Sequence, residues 1–221
     1  AVLYATYDGE VYASAPRDYS VAQYCYTQLG KYTSDAYAEI RTLLVDLLNY
    51  GAVSQLYTNY NTENLVNANL TATQKSWGTQ NSRTYNSVQN AKYEVIDNPT
   101  VSWKGGGLVL TDSVTMRFKF ETADMTGLSF KIQSGGKIWT VTDVSVEGGV
   151  NYIYFNGLNA GQMSDDVFVT AYRDGVAVSN TIRYSIESYA SKNITDTTYP
   201  YLAELVDAMM KYGDSANAYA N

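Results

Sequence analysis

Hydrophobic positions recur with two different periods along the chain. Between about residues 92 and 184 the period is two. "VTMRFKF" sets Val114, Met116, Phe118 and Phe120 on one face and Thr115, Arg117 and Lys119 on the other. "LSFKI" does the same with Leu128, Phe130 and Ile132, and "KIWTVT", "VNYIYF", "VFVTAY" and "VAVSNTIRY" continue the pattern. Successive side chains of a strand point to opposite faces, so alternation marks half-buried strands. The pairs Gly135–Gly136 and Gly148–Gly149 punctuate them as turns. Short alternating strands between turns predict an antiparallel, Ig-like β-sandwich over residues 92–184.

On either side the period becomes that of a helix. Tyr37, Ile40, Leu43, Leu44, Leu47 and Leu48 form one apolar stripe. Ser20, with Gln23 three residues on, has the form of a capping box. It opens a helix through Val21, Tyr24, Cys25 and Leu29 that is expected to stop at Gly30, with Ser34 or Asp35 opening the next. Residues 185–221 hold a second helical unit, where Pro200, after Thr198, is expected in the first turn of its long helix. Residues 61–91 are rich in Asn, Thr and Ser and predict a polar connector, with a helical turn over "TATQKSW".

The two helical units repeat each other. "LLVDLLNYGAVSQLY" (43–57) matches "LVDAMMKYGDSANAY" (205–219), with Tyr50–Gly51 over Tyr212–Gly213. Upstream, "YSVAQY" (19–24) matches "YSIESY" (184–189), and "LYATYDGEV" (3–11) matches "VTAYRDGVA" (169–177). Three collinear matches define an internal repeat. Asp8–Gly9 and Asp174–Gly175 are hairpin turn signals. Gly51 and Gly213 fall inside helical pattern, where glycine costs about 1 kcal/mol against alanine. A kink or helix end would explain either one; recurrence at one register favours close packing against another backbone.

The chain therefore divides into residues 1–60, the hairpin and helices of an earlier repeat, then the connector 61–91, the sandwich 92–184 and the helical unit 185–221. It has the form of a segment of a longer tandem array. The hairpin at 1–18 lacks its own sandwich and is expected to dock on the helices that follow, through Tyr4, Tyr7, Tyr12 and Tyr19.

Composition narrows the chemistry. There is no histidine, which removes Ser-His and Cys-His dyads and the commonest metal ligand. One cysteine, Cys25, excludes an internal disulfide. Net charge is −7, with no basic block to attract nucleic acid, and no apolar run reaches membrane-spanning length. Tyrosine is abundant, with 22 residues, which suits recognition faces. Few cysteines with much Tyr, Asn, Thr and Gly suit an exported Gram-positive surface protein.

Candidate chemistry is sparse. Glu121 with Asp124, and Asp165 with Asp166, are the carboxylate pairs; both sit at turns and read as structural. Asp143, Asp165 and Asp166 lack calcium-loop spacing. Cys25 lies on an apolar stripe and reads as an inert thiol. Gly105–Gly107 lacks the context of a phosphate loop and reads as a turn. No catalytic, metal or cofactor site is predicted. Ligand candidates are Trp103, Trp77 and Trp139, of which Trp103 is expected to be the exposed one and Trp139 to face a core.

"YIYFNGLNAGQMSDDVFVTAYRDGVAVSNTIRYSIESYA", the two "YG" helices and "NYNTENLVNANLT" resemble the repeated βα modules of large secreted or wall-attached proteins of Gram-positive gut anaerobes. The resemblance implies a non-catalytic extracellular or cell-wall module, monomeric within a longer chain. It implies little about the ligand, since some such proteins bind host antibodies and others attach to plant polysaccharide; the leading expectation is a host protein as partner, immunoglobulin being the named candidate. A glycan ligand and a ligand-free spacer are the alternatives. A coplanar row of exposed Trp and Tyr would favour glycan; scattered Tyr with Asn and Ser would favour protein.

Overall fold

A computed structural model describes residues 4–14, 19–87, 91–110 and 113–221. It is a mixed α+β chain with antiparallel sheets and five α-helices among the described residues. It divides into two compact units, Ala1–Gln80 and Asn81–Asn221.

The first unit begins with a hairpin of β1 (Tyr4–Tyr7) and β2 (Glu10–Ala13). Its turn places Asp8 at φ 50° and Gly9 at φ 79°, the positive region that Asp-Gly tolerates. All residues from 4 to 14 are exposed, so the expected docking on the helices is not found. The outer ends of the expected hairpin, 1–3 and 15–18, lie outside the described residues. Helix α1 (Val21–Lys31) is capped by Ser20, whose hydroxyl accepts the Gln23 N–H at 3.0 Å. It runs one residue past Gly30, which needs no positive φ there. A 3₁₀ turn at Asp35–Tyr37 leads into α2 (Ala38–Tyr57), so neither Ser34 nor Asp35 caps α2 itself.

The core of this unit is Cys25, Leu29, Leu44, Val45, Leu48 and Leu70, flanked by Val66 and Trp77. Burial pushes the Cys25 thiol pKa up, which keeps it protonated. Residues 61–80, expected as a connector, form an ordered strap tied to α2. The buried Gln55 amide donates to the Asn61 and Asn64 carbonyls and accepts the Val66 N–H at 2.8 Å. The buried Asp46 carboxylate accepts the Thr79 N–H at 2.9 Å and its hydroxyl at 2.7 Å. Buried polar groups persist where they are hydrogen-bonded, and these two fix the strap. Between them lies α3 (Ala72–Lys75), opened by a capping box of Thr71 and Gln74.

The second unit carries two sheets. One runs β3 (Ala91–Glu94), β12 (Thr181–Tyr184), β10 (Val167–Arg173), β6 (Leu128–Ser134), β7 (Lys137–Val141), with β11 (Val176–Ala177) also on β10. The other runs β4 (Val101–Leu110), β5 (Val114–Thr122), β9 (Val150–Phe155), β8 (Ser145–Glu147). All pairings within the sheets are antiparallel. The alternation places the expected residues inside: Met116, Phe118 and Phe120 on β5 and Leu128, Phe130 and Ile132 on β6 are buried. Rings from the two sheets meet: Phe120 with Phe130 at 5.0 Å, Phe118 with Tyr184 at 6.1 Å, Trp139 with Phe155 at 5.0 Å. Such pairs contribute about 0.5–1.5 kcal/mol each beyond burial.

Gly105–Gly107 is not a turn. It lies within β4, past a bulge at Trp103–Gly105. A Cβ on Gly106 would stand 2.9 Å from the Tyr184 ring, so the glycine lets that ring pack on the strand.

After β12, Ser185 caps α4 (Ile186–Asn193), and α5 (Leu202–Ala220) follows. Pro200 precedes α5 instead of starting it: Tyr201 stands at the N-cap with φ 64°, and Asp196 turns the chain by accepting the Thr198 and Tyr199 N–H groups. Residues 81–87 are anchored to this pair. Arg83 bridges Asp214 at 2.9 Å and Glu187 at 3.6 Å, and the Tyr85 hydroxyl donates to Asp207 at 2.5 Å. Burial first, then that hydrogen bond, pushes the Tyr85 phenol above its ordinary range.

Candidate functional site

The outer face of the four-stranded sheet follows from the alternation that built its inner face. With Phe118 and Phe120 inward, Arg117 and Lys119 of β5 point out. With Ile153 and Phe155 inward, Tyr152 and Tyr154 of β9 point out beside them, in the register Arg117↔Tyr154 and Lys119↔Tyr152. On the other side of β5, Gly107 lies opposite Arg117 and Gly105 opposite Lys119. A Cβ on Gly107 would stand 3.7 Å from Arg117 Nε, so no side chain of that residue competes with the guanidinium.

Arg117, Tyr152 and Tyr154 are held by contacts with their neighbours. The Arg117 guanidinium lies 5.3 Å from the Tyr152 ring centroid. The Tyr152 and Tyr154 rings are 6.4 Å apart and inclined at 36°. The Tyr154 hydroxyl donates to Glu147 Oε1 on β8, and that hydrogen bond, with a smaller effect of burial, raises the phenol pKa. Tyr154 is therefore a donor at neutral pH. A cation over an aromatic face contributes about 0.5–1 kcal/mol at exposed sites and fixes the long Arg side chain. Tyrosine and arginine dominate the energetics of protein interfaces, and side chains already ordered lose less entropy on binding.

Trp103 and Trp139 belong to the second unit and Trp77 to the first. Trp103 is half-buried, contrary to its expected exposure. Its ring packs against Phe118, Phe120 and Phe130 at 5.9–6.4 Å, and its indole N–H donates to Asn180 O at 2.8 Å and Ser179 Oγ at 3.1 Å. It lines a cleft of about 450 Å³ with Pro99, Ser102, Lys104, Asn180 and Ile182. Trp139 packs on Phe155, and a Cβ at Gly157 would stand 3.1 Å from its ring. Trp77, in the first unit, packs on that core, with the Arg41 guanidinium 4.6 Å from its ring centroid.

The carboxylates are engaged locally. Glu121 pairs with Lys104 at 2.8 Å. Asp124 accepts the Thr126 N–H at 2.8 Å, which with a smaller contribution from Arg173 holds its carboxyl below the usual range. Asp165 accepts from Gln162, and Asp166 pairs with Arg183. Asp143 is exposed. Among the described residues no three His, Cys, Asp or Glu side chains group to hold a metal ion. No helix among them is long and apolar enough to cross a membrane.

Arg117, Lys119, Tyr152 and Tyr154 are the residues the sequence did not single out. Alternation assigned Arg117 and Lys119 to the polar face of their strand, but nothing in the sequence said that β5 and β9 are neighbours. No protein-family model matches the chain, and comparison with curated proteins and with solved structures gives no match.

Proposed function

We propose that this chain is a non-enzymatic extracellular repeat module of a bacterial surface protein, and that it binds a host protein. The two sheets of the second unit are then an Ig-like β-sandwich followed by a two-helix unit. The first unit is the hairpin and helices of an earlier repeat, within one longer chain that is secreted or held at the cell wall. The observation that carries protein binding is the Arg117–Tyr152–Tyr154 ladder on the outer face of the four-stranded sheet. The named partner is immunoglobulin, from the resemblance of the sequence to wall-attached modules.

The glycan alternative has its own support in the cleft beside Trp103, where an aromatic wall meets Lys104 and Asn180. Its tryptophan is half-buried, with the ring turned onto Phe118, Phe120 and Phe130. Immobilised protein probed with purified immunoglobulin and, in parallel, a glycan array separates the two. Expected is immunoglobulin capture that falls more than about tenfold in Arg117→Ala/Tyr152→Ala, the effect of losing ~1.4 kcal/mol or more from an interface anchor. Glycan binding that depends on Trp103, without immunoglobulin capture, would replace this proposal with the carbohydrate one. Silence in both assays would leave the spacer.

A further inference from the structure

The molecule contains its own control for the exposed hairpin. β1–β2 and β10–β11 share a turn geometry: Asp8 and Asp174 both have φ 50°, Gly9 and Gly175 both φ 79°. In the second copy, the edge of β10 away from β11 is covered by β6, with Ala171 opposite Phe130, Tyr172 opposite Ser129 and Arg173 opposite Leu128. Val169 and Ala171 are fully buried there. In the first copy β1 pairs with β2 alone among the described strands. Tyr4 and Tyr7 of β1 are 71% and 76% exposed, and Val11 of β2 is 67% exposed.

Edge strands that must stay open carry lysine, proline or a bulge. β1 reads Tyr-Ala-Thr-Tyr and pairs with β2 in unbroken register, so it has none of these. A two-stranded hairpin is also marginal in water by itself.

We propose that the free edge of β1 is an acceptor for one partner: a β-unit of this same repeat that lacks its own terminal hairpin. The entering strand is of the β6 type, with Leu, Phe and Ile alternating as in residues 128–132, and runs antiparallel to β1. Ala5 stands where Ala171 stands and meets the residue equivalent to Phe130. Consecutive repeats then interlock, each hairpin and its helices completing the sheet before them. This rests on the repeat-module proposal but not on any host ligand.

The test is a chimera in which a second copy of residues 81–166 is placed ahead of Ala1 of the full chain. By the repeat alignment, Ala1, Val2 and Leu3 then take the places of Val167, Phe168 and Val169. In the 221-residue protein, amide hydrogens of Tyr4–Tyr7 are expected to exchange close to the unstructured rate. In the chimera they slow by on the order of a hundredfold or more, as amides do on entering a cooperative sheet. A second variant, in a Cys25→Ser background, pairs Ala5→Cys with Phe130→Cys of the added segment, and the disulfide forms on mild oxidation. Unprotected Tyr4–Tyr7 amides overturn the proposal, as does protection without the disulfide. An added segment that stays unfolded overturns it too, since the hairpin is proposed to complete that segment. Immunoglobulin capture by the same chimera reports separately on the binding proposal.

Discussion

Similar local sequence occurs twice in this chain, within residues 3–57 and 169–219, and meets different surroundings each time. Much is shared. Each copy has an Asp-Gly hairpin, a serine-capped helix and a longer helix carrying glycine at the same register. What differs is the neighbour. A Cβ on Gly51 would stand 2.9 Å from the end of the Val66 side chain, part of the strap downstream. A Cβ on Gly213 would stand 3.0 Å from the Ala160 carbonyl and 3.1 Å from the Met163 sulfur, on the segment between β9 and β10. Neither glycine ends its helix. The expected close approach of another backbone is found at Gly213, whereas Gly51 meets a side chain instead. Local sequence determines the elements; what packs on them is a separate, non-local matter.

The hairpins supply the sharpest contrast, because one alanine occupies the same place in both. Ala171 is fully buried, opposite Phe130 of β6, with its carbonyl accepting the Val178 N–H at 2.8 Å. Ala5 is exposed. Ala171→Asp puts a carboxylate where no water reaches it, and should cost more than about 4 kcal/mol or leave the second unit unfolded. Ala5→Asp should change stability by less than about 0.5 kcal/mol. Urea unfolding followed by amide exchange, resolved by unit, measures both. Similar large costs at the two positions would mean that the first hairpin is covered in solution.

The helical glycines give the next contrast. Alanine gains about 1 kcal/mol over glycine in a helix interior, so any loss must come from crowding. At Gly51 the obstacle is a side-chain methyl, which can turn away. At Gly213 it is backbone, and that backbone is itself held: a Cβ on Gly161 would stand 3.1 Å from Asn217 Cα. Overpacking of this kind costs about 1–3 kcal/mol. Gly213→Ala is therefore expected to destabilise the second unit by about 1–2 kcal/mol, and Gly51→Ala to leave the first within about 0.5 kcal/mol. Equal effects would mean that Val66 is as immovable as a carbonyl.

These contrasts also show why some features were legible in the sequence and others were not. Period-two alternation placed Phe118, Phe130 and Ile132 inside, and turn chemistry placed Gly135–Gly136 and Gly148–Gly149 at hairpins, because both are local rules. Gly105–Gly107 misled, since a glycine run in a strand and one in a turn look alike until Tyr184 is seen resting on Gly106. Trp103 misled in the same way: the flexible sequence after it is a bulged strand, and the ring turns inward onto Phe118, Phe120 and Phe130. The polar stretch at 61–80 read as a connector because its anchors, Gln55 and Asp46, lie on α2, well upstream of it. The Arg117–Tyr152 contact needs the β5–β9 pairing, which no local pattern encodes.

The capping serines give the smallest contrast and isolate solvent from geometry. Ser20 and Ser185 have the same extended backbone and the same hydrogen bond, each accepting an N–H three residues on at 3.0 Å. Ser20 is exposed, so water can replace its hydroxyl at the helix end. Ser185 is buried, and its hydroxyl also meets that of Ser188 at 2.9 Å, out of reach of water. A capping residue replaced by alanine costs about 0.5–2 kcal/mol, and a buried donor that loses its acceptor falls at the upper end. Ser185→Ala should cost about 1.5 kcal/mol and Ser20→Ala about 0.5 kcal/mol. Glycine at each position should restore most of the loss if only helix-end geometry matters, because glycine leaves the N-cap open to water. At Ser20 that recovery is expected. At Ser185 it is not, because no solvent stands ready to take the place of the hydroxyl. Full recovery at Ser185 would show that water enters the second unit beneath α4, and would remove the difference in burial on which the two copies are compared.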